Sequence, residues 1–193
     1  MSLRGVLMEA LRITDEKVLR QLEEMASIRQ FKKGEILFNE GEIPSFVPLL
    51  LSGAVRGFLV DYTGKDVTNC FNIRKFDPLV PSVPLDAPAI VSVESLMDSE
   101  ALCLPTDRVV QMMENEPQLF EHYNRLLLIS LQTQIEIKNV LYKYTAMGRY
   151  EWFLEKYPGL DGKISSKYIA SFLNITTVSL SRLRTERREK NRD

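Results

Sequence analysis

Between Pro117 and residue 145 there is no glycine and no further proline. Pro117 suits the first position of a helix, where its missing N–H costs nothing. Phe120, Tyr123, Leu127, Ser130, Gln134, Ile137, Leu141 and Tyr144 recur at alternating spacings of three and four. That is a heptad seam with six apolar members of eight. Leu119, Leu126, Val140 and Met147 form a second stripe beside it. A helix of 29 residues is about 44 Å long and, with two apolar stripes, cannot stand alone in water. One face is expected to cover a neighbouring domain and the other to pair with a second copy. Ser130 and Gln134 sit mid-seam, where they set register or face a ligand.

The residues on either side differ in charge. The 193-residue chain has a formal net charge of −1. Residues 163–193 hold eight Lys or Arg against three acids, a net of +5, so the preceding residues carry −6. A basic segment on an acidic body points to a polyanion, although cations at a helix end also offset the macrodipole. Two cysteines and one histidine exclude a disulfide scaffold, a four-cysteine metal site and a His-rich one. No apolar run reaches membrane-spanning length, and Glu9 and Arg12 interrupt any signal-peptide core after Met1–Gly5. A reduced, cytoplasmic protein that does not engage a membrane is expected.

Residues 1–30 read as helical from Leu11, Val18, Leu19, Leu22 and Met25. Residues 31–107 change period. Six short strands (Glu35–Phe38, Val47–Leu51, Val55–Val60, Val67–Phe71, Ile90–Leu96 and Ala101–Leu104) are separated by Gly34, Gly41, Gly53 and Gly64 turns. That pattern predicts a rolled antiparallel sheet, with Asp61–Lys65 as a hairpin. Beyond the long helix, Glu151–Lys156 continues helical until Tyr157-Pro158-Gly159 stops it.

The last part carries the most specific pattern. Ser165 or Ser166 caps a helix running to Leu173, and Asn174 suits a left-handed turn. Thr176 or Thr177 caps a second helix. With Ser166 as the first residue of a twenty-residue unit, the required apolar positions are Ile169, Leu173, Ile175, Leu180 and Leu183. The crossing position, which must be small, is Ala170. This is a helix-turn-helix. Its second helix is expected to enter the major groove, so that Thr177, Val178, Ser179 and Arg182 face DNA. Arg182 can read guanine bidentately, and Val178 or a threonine methyl can touch a thymine methyl. Lys167, Thr176, Ser181 and Arg184 are placed for phosphates. Arg184 has a plainer alternative in pairing with Glu155 or Glu151, and Arg187, Arg188 and Lys190 form an electrostatic skirt.

Five stretches together resemble the Crp/Fnr family of bacterial transcription regulators. Phe31–Gly41, Val47–Arg56 and Asp61–Val67 are similar to its cyclic-nucleotide-binding-type roll. Ala146–Tyr150 through Tyr157-Pro158 is similar to its hinge and first DNA-binding helix, and Ile164–Arg184 to its helix-turn-helix. The resemblance implies an α+β fold in which an antiparallel, jelly-roll-like β-roll is followed by a long dimerisation helix and a small helix-turn-helix domain. The domains would be residues 1–116, an N-terminal helix with the roll as effector domain; 117–145, the dimer helix; and 146–193, which binds DNA. It implies a homodimer on a palindromic double-stranded promoter site, a small-molecule effector, and RNA polymerase as a further partner.

Three departures bear on that expectation. Nucleotide-binding members carry Gly-Glu and, about ten residues on, Arg-Ser/Thr/Ala around the cyclic phosphate. Here no glycine lies between Gly64 and Gly148, and no Lys or Arg between Lys75 and Arg108. Pro78, Pro81, Pro84 and Pro88 fill the stretch instead, and proline removes backbone donors. The effector is therefore expected not to be a cyclic nucleotide. Thr177-Val178-Ser179 replaces the usual Arg-Glu or Pro-Glu before Thr/Ser, so the operator is expected to differ from that of the best-known members. The β-hairpin wing of longer relatives is also expected to be missing after the recognition helix.

If the roll keeps an effector pocket, residues 72–90 with Ser130 and Gln134 are its expected lining. No metal or cofactor is expected. Cys70 and Cys103 read as small buried hydrophobes in strands rather than redox or haem groups. No phosphate loop, catalytic triad or metal spacing suggests an enzyme. The alternative function is a ligand- or protein-binding module of the same fold with a vestigial helix-turn-helix.

Overall fold

The computed structural model describes residues 2–190. Met1, Arg192 and Asp193, the last two counted in the basic segment, lie outside the described residues.

Two short helices open the chain. In α1 (Leu3–Leu11) the Ser2 hydroxyl accepts the Gly5 N–H, and Arg12 ends the helix in the left-handed region. In α2 (Glu16–Met25) Asp15 accepts from Lys17 and Val18 N–H. Such caps satisfy amide donors that a helix cannot pair internally.

Seven strands follow among the described residues, in two antiparallel sheets. One has the order β1–β7–β3 (Ser27–Phe31, Ser99–Pro105, Phe46–Ser52). The other has the order β2–β6–β4–β5 (Ile36–Phe38, Ser92–Ser95, Val55–Val60, Asp66–Asn72). Phe38, Leu50, Val55, Leu79 and Val93 fill the space between them. Gly53 turns the chain between β3 and β4 at φ 101°, where any Cβ would collide with Ser99. Gly64 closes the expected Asp61–Lys65 hairpin at φ 81°.

The expected roll is present, with two differences. Residues 27–30, read as helical, form β1 together with Phe31. Four of its five residues are exposed, so the strand has no alternating apolar signal and is held by pairing with β7. Helix α3 (Thr106–Asn115), read as no element, has no side-chain cap and buries only Thr106 and Val109.

Helix α4 (Pro117–Lys143) has 27 residues and opens on Pro117. The second stripe faces inward: Leu119 and Val140 are buried, and Leu126 is half-buried. The seam does not stand free as expected. Ile137 is buried against the C-terminal helices, and Tyr123 packs on the N-terminal core. The exposed apolar row is displaced by one residue, to Leu128, Leu131, Ile135 and Tyr142, each more than half exposed.

Three helices complete the described chain: α5 (Ala146–Lys156), α6 (Ser166–Phe172) and α7 (Thr177–Lys190). They share one core with the roll, in which Phe71 of β5 makes edge contacts with Phe153, Tyr157 and Phe172 at 4.9–5.9 Å between centroids. Among the described residues, no helix is long and apolar enough to cross a membrane.

Candidate nucleic-acid interface and effector cavity

The α6–α7 unit is built by local chemistry. Ser165 caps α6 by accepting the Lys167 N–H. Asn174 turns at φ 52°. Thr176 caps α7, its hydroxyl accepting the Ser179 N–H at 3.0 Å. Arg149 donates to the Leu173 carbonyl at 2.9 Å, satisfying an acceptor that the helix end leaves free. Ile169, Ala170, Leu173 and Leu180 are buried, and Ile175 and Leu183 pack against the same core.

That inward set fixes the outward one. At 100° per residue, Thr177, Val178, Ser181 and Arg182 share the face of α7 opposite Leu180 and Leu183. All four are exposed, Val178 at 60%. Ser179 is half-buried and shares a hydroxyl contact with Thr176.

Two of the residues expected at DNA phosphates are occupied within the chain. Arg184 is not free: its guanidinium pairs with Asp161 and donates to the Ser166 hydroxyl at 2.7 Å. The partner is neither Glu155 nor Glu151, because the Asp161-Gly162 turn folds under α7. Asp161 also accepts the Tyr150 hydroxyl, so Arg184 ties α5, α6 and α7 together. Lys167 is exposed but its ammonium lies 3.9 Å from Asp66 of β5.

Asp66 belongs to a polar joint between α6 and the roll. Arg56 of β4, 2% exposed, is held bidentately by Asp66 at 2.6 and 2.7 Å, and also by Glu94 and Thr68. The Arg56 bonds hold the Asp66 carboxyl below the ordinary range despite partial burial. The Tyr168 ring covers the guanidinium, and the Thr68 N–H donates to the Ser171 hydroxyl. Sequence reading missed this joint; its only signal was an arginine between Val55 and Gly57 in a strand.

A cavity of about 390 Å³ lies between the roll and α4. Ser130 and Gln134 both line it, with part of the expected 72–90 segment. Residues 69–71, Val91, further residues of α4 (Leu126, Ile129 and Thr133) and two C-terminal residues, Lys156 and Tyr157, also line it and were not expected. Asp77 accepts the Ile73 and Arg74 N–H groups there, and burial raises its carboxyl. The Tyr157 hydroxyl is buried and, among the described residues, has no partner. Arg74 and Lys156 are the cations of the wall, and Lys156 is engaged by Glu136 at 2.5 Å. Pro78, Pro81, Val83 and Ile90 give its other side no cation.

Both thiols lie in strands as expected, but Cys70 is half-buried rather than buried, because β5 is an edge strand of its sheet. Cys103 is buried and pushed up to about 11; burial also raises Cys70. Both are protonated near neutral pH.

Residues 28–116 match the cyclic nucleotide-binding domain family. Over 127 residues the chain is 28% identical to the transcriptional activator protein anr of Pseudomonas aeruginosa, covering 65% of this chain and 51% of that protein. The chain thus spans about half the length of that curated relative. The structure of FixK2 from Bradyrhizobium japonicum superposes with a TM-score of 0.76 at 16% identity, covering 86% of each chain. A crp/fnr-family regulator from Eubacterium rectale superposes with a TM-score of 0.70 at 16% identity, over 88% of this chain and 82% of that one.

Proposed function

We propose that this chain, of the Crp/Fnr type by its cyclic nucleotide-binding domain, its relatives and its fold, is a homodimeric, sequence-specific DNA-binding transcription regulator of the cytoplasm. The observation that carries the reading is the outer face of α7, where Thr177, Val178, Ser181 and Arg182 are presented to solvent by an inner face on which Leu180 is buried and Leu183 half-buried. In this reading 146–193 binds DNA as a helix-turn-helix. Arg182 reads a guanine edge, Val178 or Thr177 a thymine methyl, and Thr176, Ser181 and Lys167 contact phosphates. Ser179 sits at the rim of that surface. Arg184 supports the unit from beneath.

Residues 117–145 join two copies through Leu128, Leu131, Ile135 and Tyr142. Their spacings of three, four and seven keep one line along the helix. The paired recognition helices then sit about 34 Å apart on a palindromic promoter site, in reach of RNA polymerase. The effector is a small molecule other than a cyclic nucleotide. It occupies the cavity of Ser130 and Gln134 and reaches Lys156 and Tyr157 of the DNA-binding part directly. The chain has no catalytic role.

The test is selection of bound sequences from random duplex DNA, followed by a salt titration on the selected site. A palindrome with steep salt weakening supports the reading, since each neutralised phosphate adds about 0.9 to the log–log slope. A monomer indifferent to duplex DNA in dilute buffer overturns it.

A further inference from the structure

Helix α1 ends at Arg12, whose left-handed backbone swings the chain toward Asp15. The first turns of α4 pass beside this bend. Leu11, Arg12 and Thr14 on one side and Gln118, Glu121, His122 and Arg125 on the other enclose a recess of about 410 Å³. It is separate from the effector cavity and shares no residue with it.

His122 is the only histidine of the chain and is 8% exposed. Its Nδ1 lies 2.7 Å from Nη2 of Arg125. A guanidinium has no lone pair to offer, so Arg125 donates and Nδ1 accepts. The imidazole proton therefore sits on Nε2. Among the described residues, that buried N–H has no partner, a state costly to leave unmade. Neither Arg12 nor Arg125 is paired with a carboxylate among the described residues. Two guanidiniums and an imidazole thus meet one carboxylate, Glu121, in the wall of a recess that can admit a small group.

We propose that this recess binds a phosphate group, clamped by the guanidiniums of Arg12 and Arg125 beside the His122 imidazole. Guanidinium forks match the spacing of phosphate oxygens, and two forks from different elements make the contact specific. The bound group ties the α1–α2 bend to the start of α4, the helix that presents the exposed apolar row. It also draws Arg125 away from Nδ1, freeing the imidazole to take a proton. In the unliganded protein burial, then Arg125 and Arg12, hold His122 down to about 4; a phosphate dianion opposes the two cations and raises it. Glu121 works against binding.

Because His122 is the single histidine, its ring proton resonances report on the site without assignment by mutation. Inorganic phosphate, glycerol phosphate and chloride are titrated at matched ionic strength. A saturable shift with either phosphate, a raised His122 pKa, and binding about tenfold weaker in Arg12→Gln and in Arg125→Gln support the proposal, as does tighter binding in Glu121→Gln. Both arginine variants keep a dispersed spectrum if folded, and preferential binding of glycerol phosphate identifies an esterified metabolite rather than the free ion. No shift, an equal shift with chloride, or a phosphate shift unchanged in both arginine variants overturns it.

Discussion

The guanidinium carbon of Arg56 stands 3.7 Å from the centre of the Tyr168 ring. One residue belongs to β4 and the other to α6, so the contact crosses from the roll to the C-terminal helices. Asp66 sits on both sides of it, holding Arg56 bidentately and approaching Lys167. Arg56→Ala leaves Asp66 and Glu94 partly buried without their cation. Breaking one side of such a buried pair costs about 3–5 kcal/mol. Tyr168→Leu removes only the cover, worth about 0.5–2 kcal/mol. The sole tryptophan, Trp152, stacks on Phe172 in the adjoining cluster. Denaturant unfolding followed by its fluorescence is expected to show a large loss for the first variant and a small one for the second.

Arg182 and Arg184 lie two residues apart and are expected to separate cleanly. Arg182 is exposed; Arg184 is half-buried on Asp161 and Ser166. Arg182→Ala is expected to leave stability within about 0.5 kcal/mol and to lose about 1–3 kcal/mol of base discrimination at one operator position. Arg184→Ala is expected to lower the melting temperature and leave the base preference of the folded fraction unchanged. Competition binding on single-base operator variants, beside thermal melts, checks both.

The α6–α7 helix pair was legible because its constraints are local. Ala170, Asn174 and the spacing of Ile169, Leu173 and Leu180 all fall within one short segment, and caps reinforce them. The roll was legible through its glycine turns, and the cavity through the mid-seam Ser130 and Gln134. What escaped reading depends on distant residues. Thr68 meets Ser171 across the joint, and no local pattern brings them together. The apolar row of α4 was misplaced by one residue for the same reason. Periodicity finds stripes, but burial of Ile137 by the C-terminal helices decides which stripe is left outside.

His122 predicts an early acid limb in stability. Its pKa falls from 6.5 to about 4 on folding, first through burial and then through Arg125 and Arg12. Between those values the unfolded chain binds the extra proton, so stability rises with pH there and is lost as pH falls from 6.5 toward 4. The loss is at most about 3 kcal/mol, at 1.36 kcal/mol per unit. Asp66, held low by its Arg56 bonds, contributes differently: its share is present above the ordinary carboxylate value and is lost only as pH falls through its lower folded value. Urea unfolding across pH 4 to 7 is expected to show the upper limb in the native chain and to lose it in His122→Gln.

Leu131 and Ile135 occupy the middle of the exposed row of α4. Placing lysine at either puts a charge in the proposed seam without touching the core beneath. Leu131→Lys and Ile135→Lys are each expected to give a folded monomer by analytical ultracentrifugation, with near-native far-ultraviolet circular dichroism. Ile137→Lys is expected to fail differently, by unfolding, because Ile137 is buried against α5 and its neighbours.

The last prediction concerns the cavity. A cyclic phosphate needs either a cation or converging backbone N–H groups at close range. Along the proline-bearing wall neither type of group is concentrated: Pro78 and Pro81 have no N–H, and the Ile90 N–H is spent on the Pro81 carbonyl. On the opposite side Lys156 is engaged by Glu136, and Asp77 adds a carboxylate that a phosphate would meet. Cyclic AMP is therefore expected to leave the melting temperature unchanged. Ligand at a hundredfold excess over its dissociation constant would stabilise the fold by about 2.7 kcal/mol, a shift of about 5–11 °C for a chain of this size. A saturable shift of that size, abolished in Arg74→Ala, would return the cavity to cyclic nucleotides.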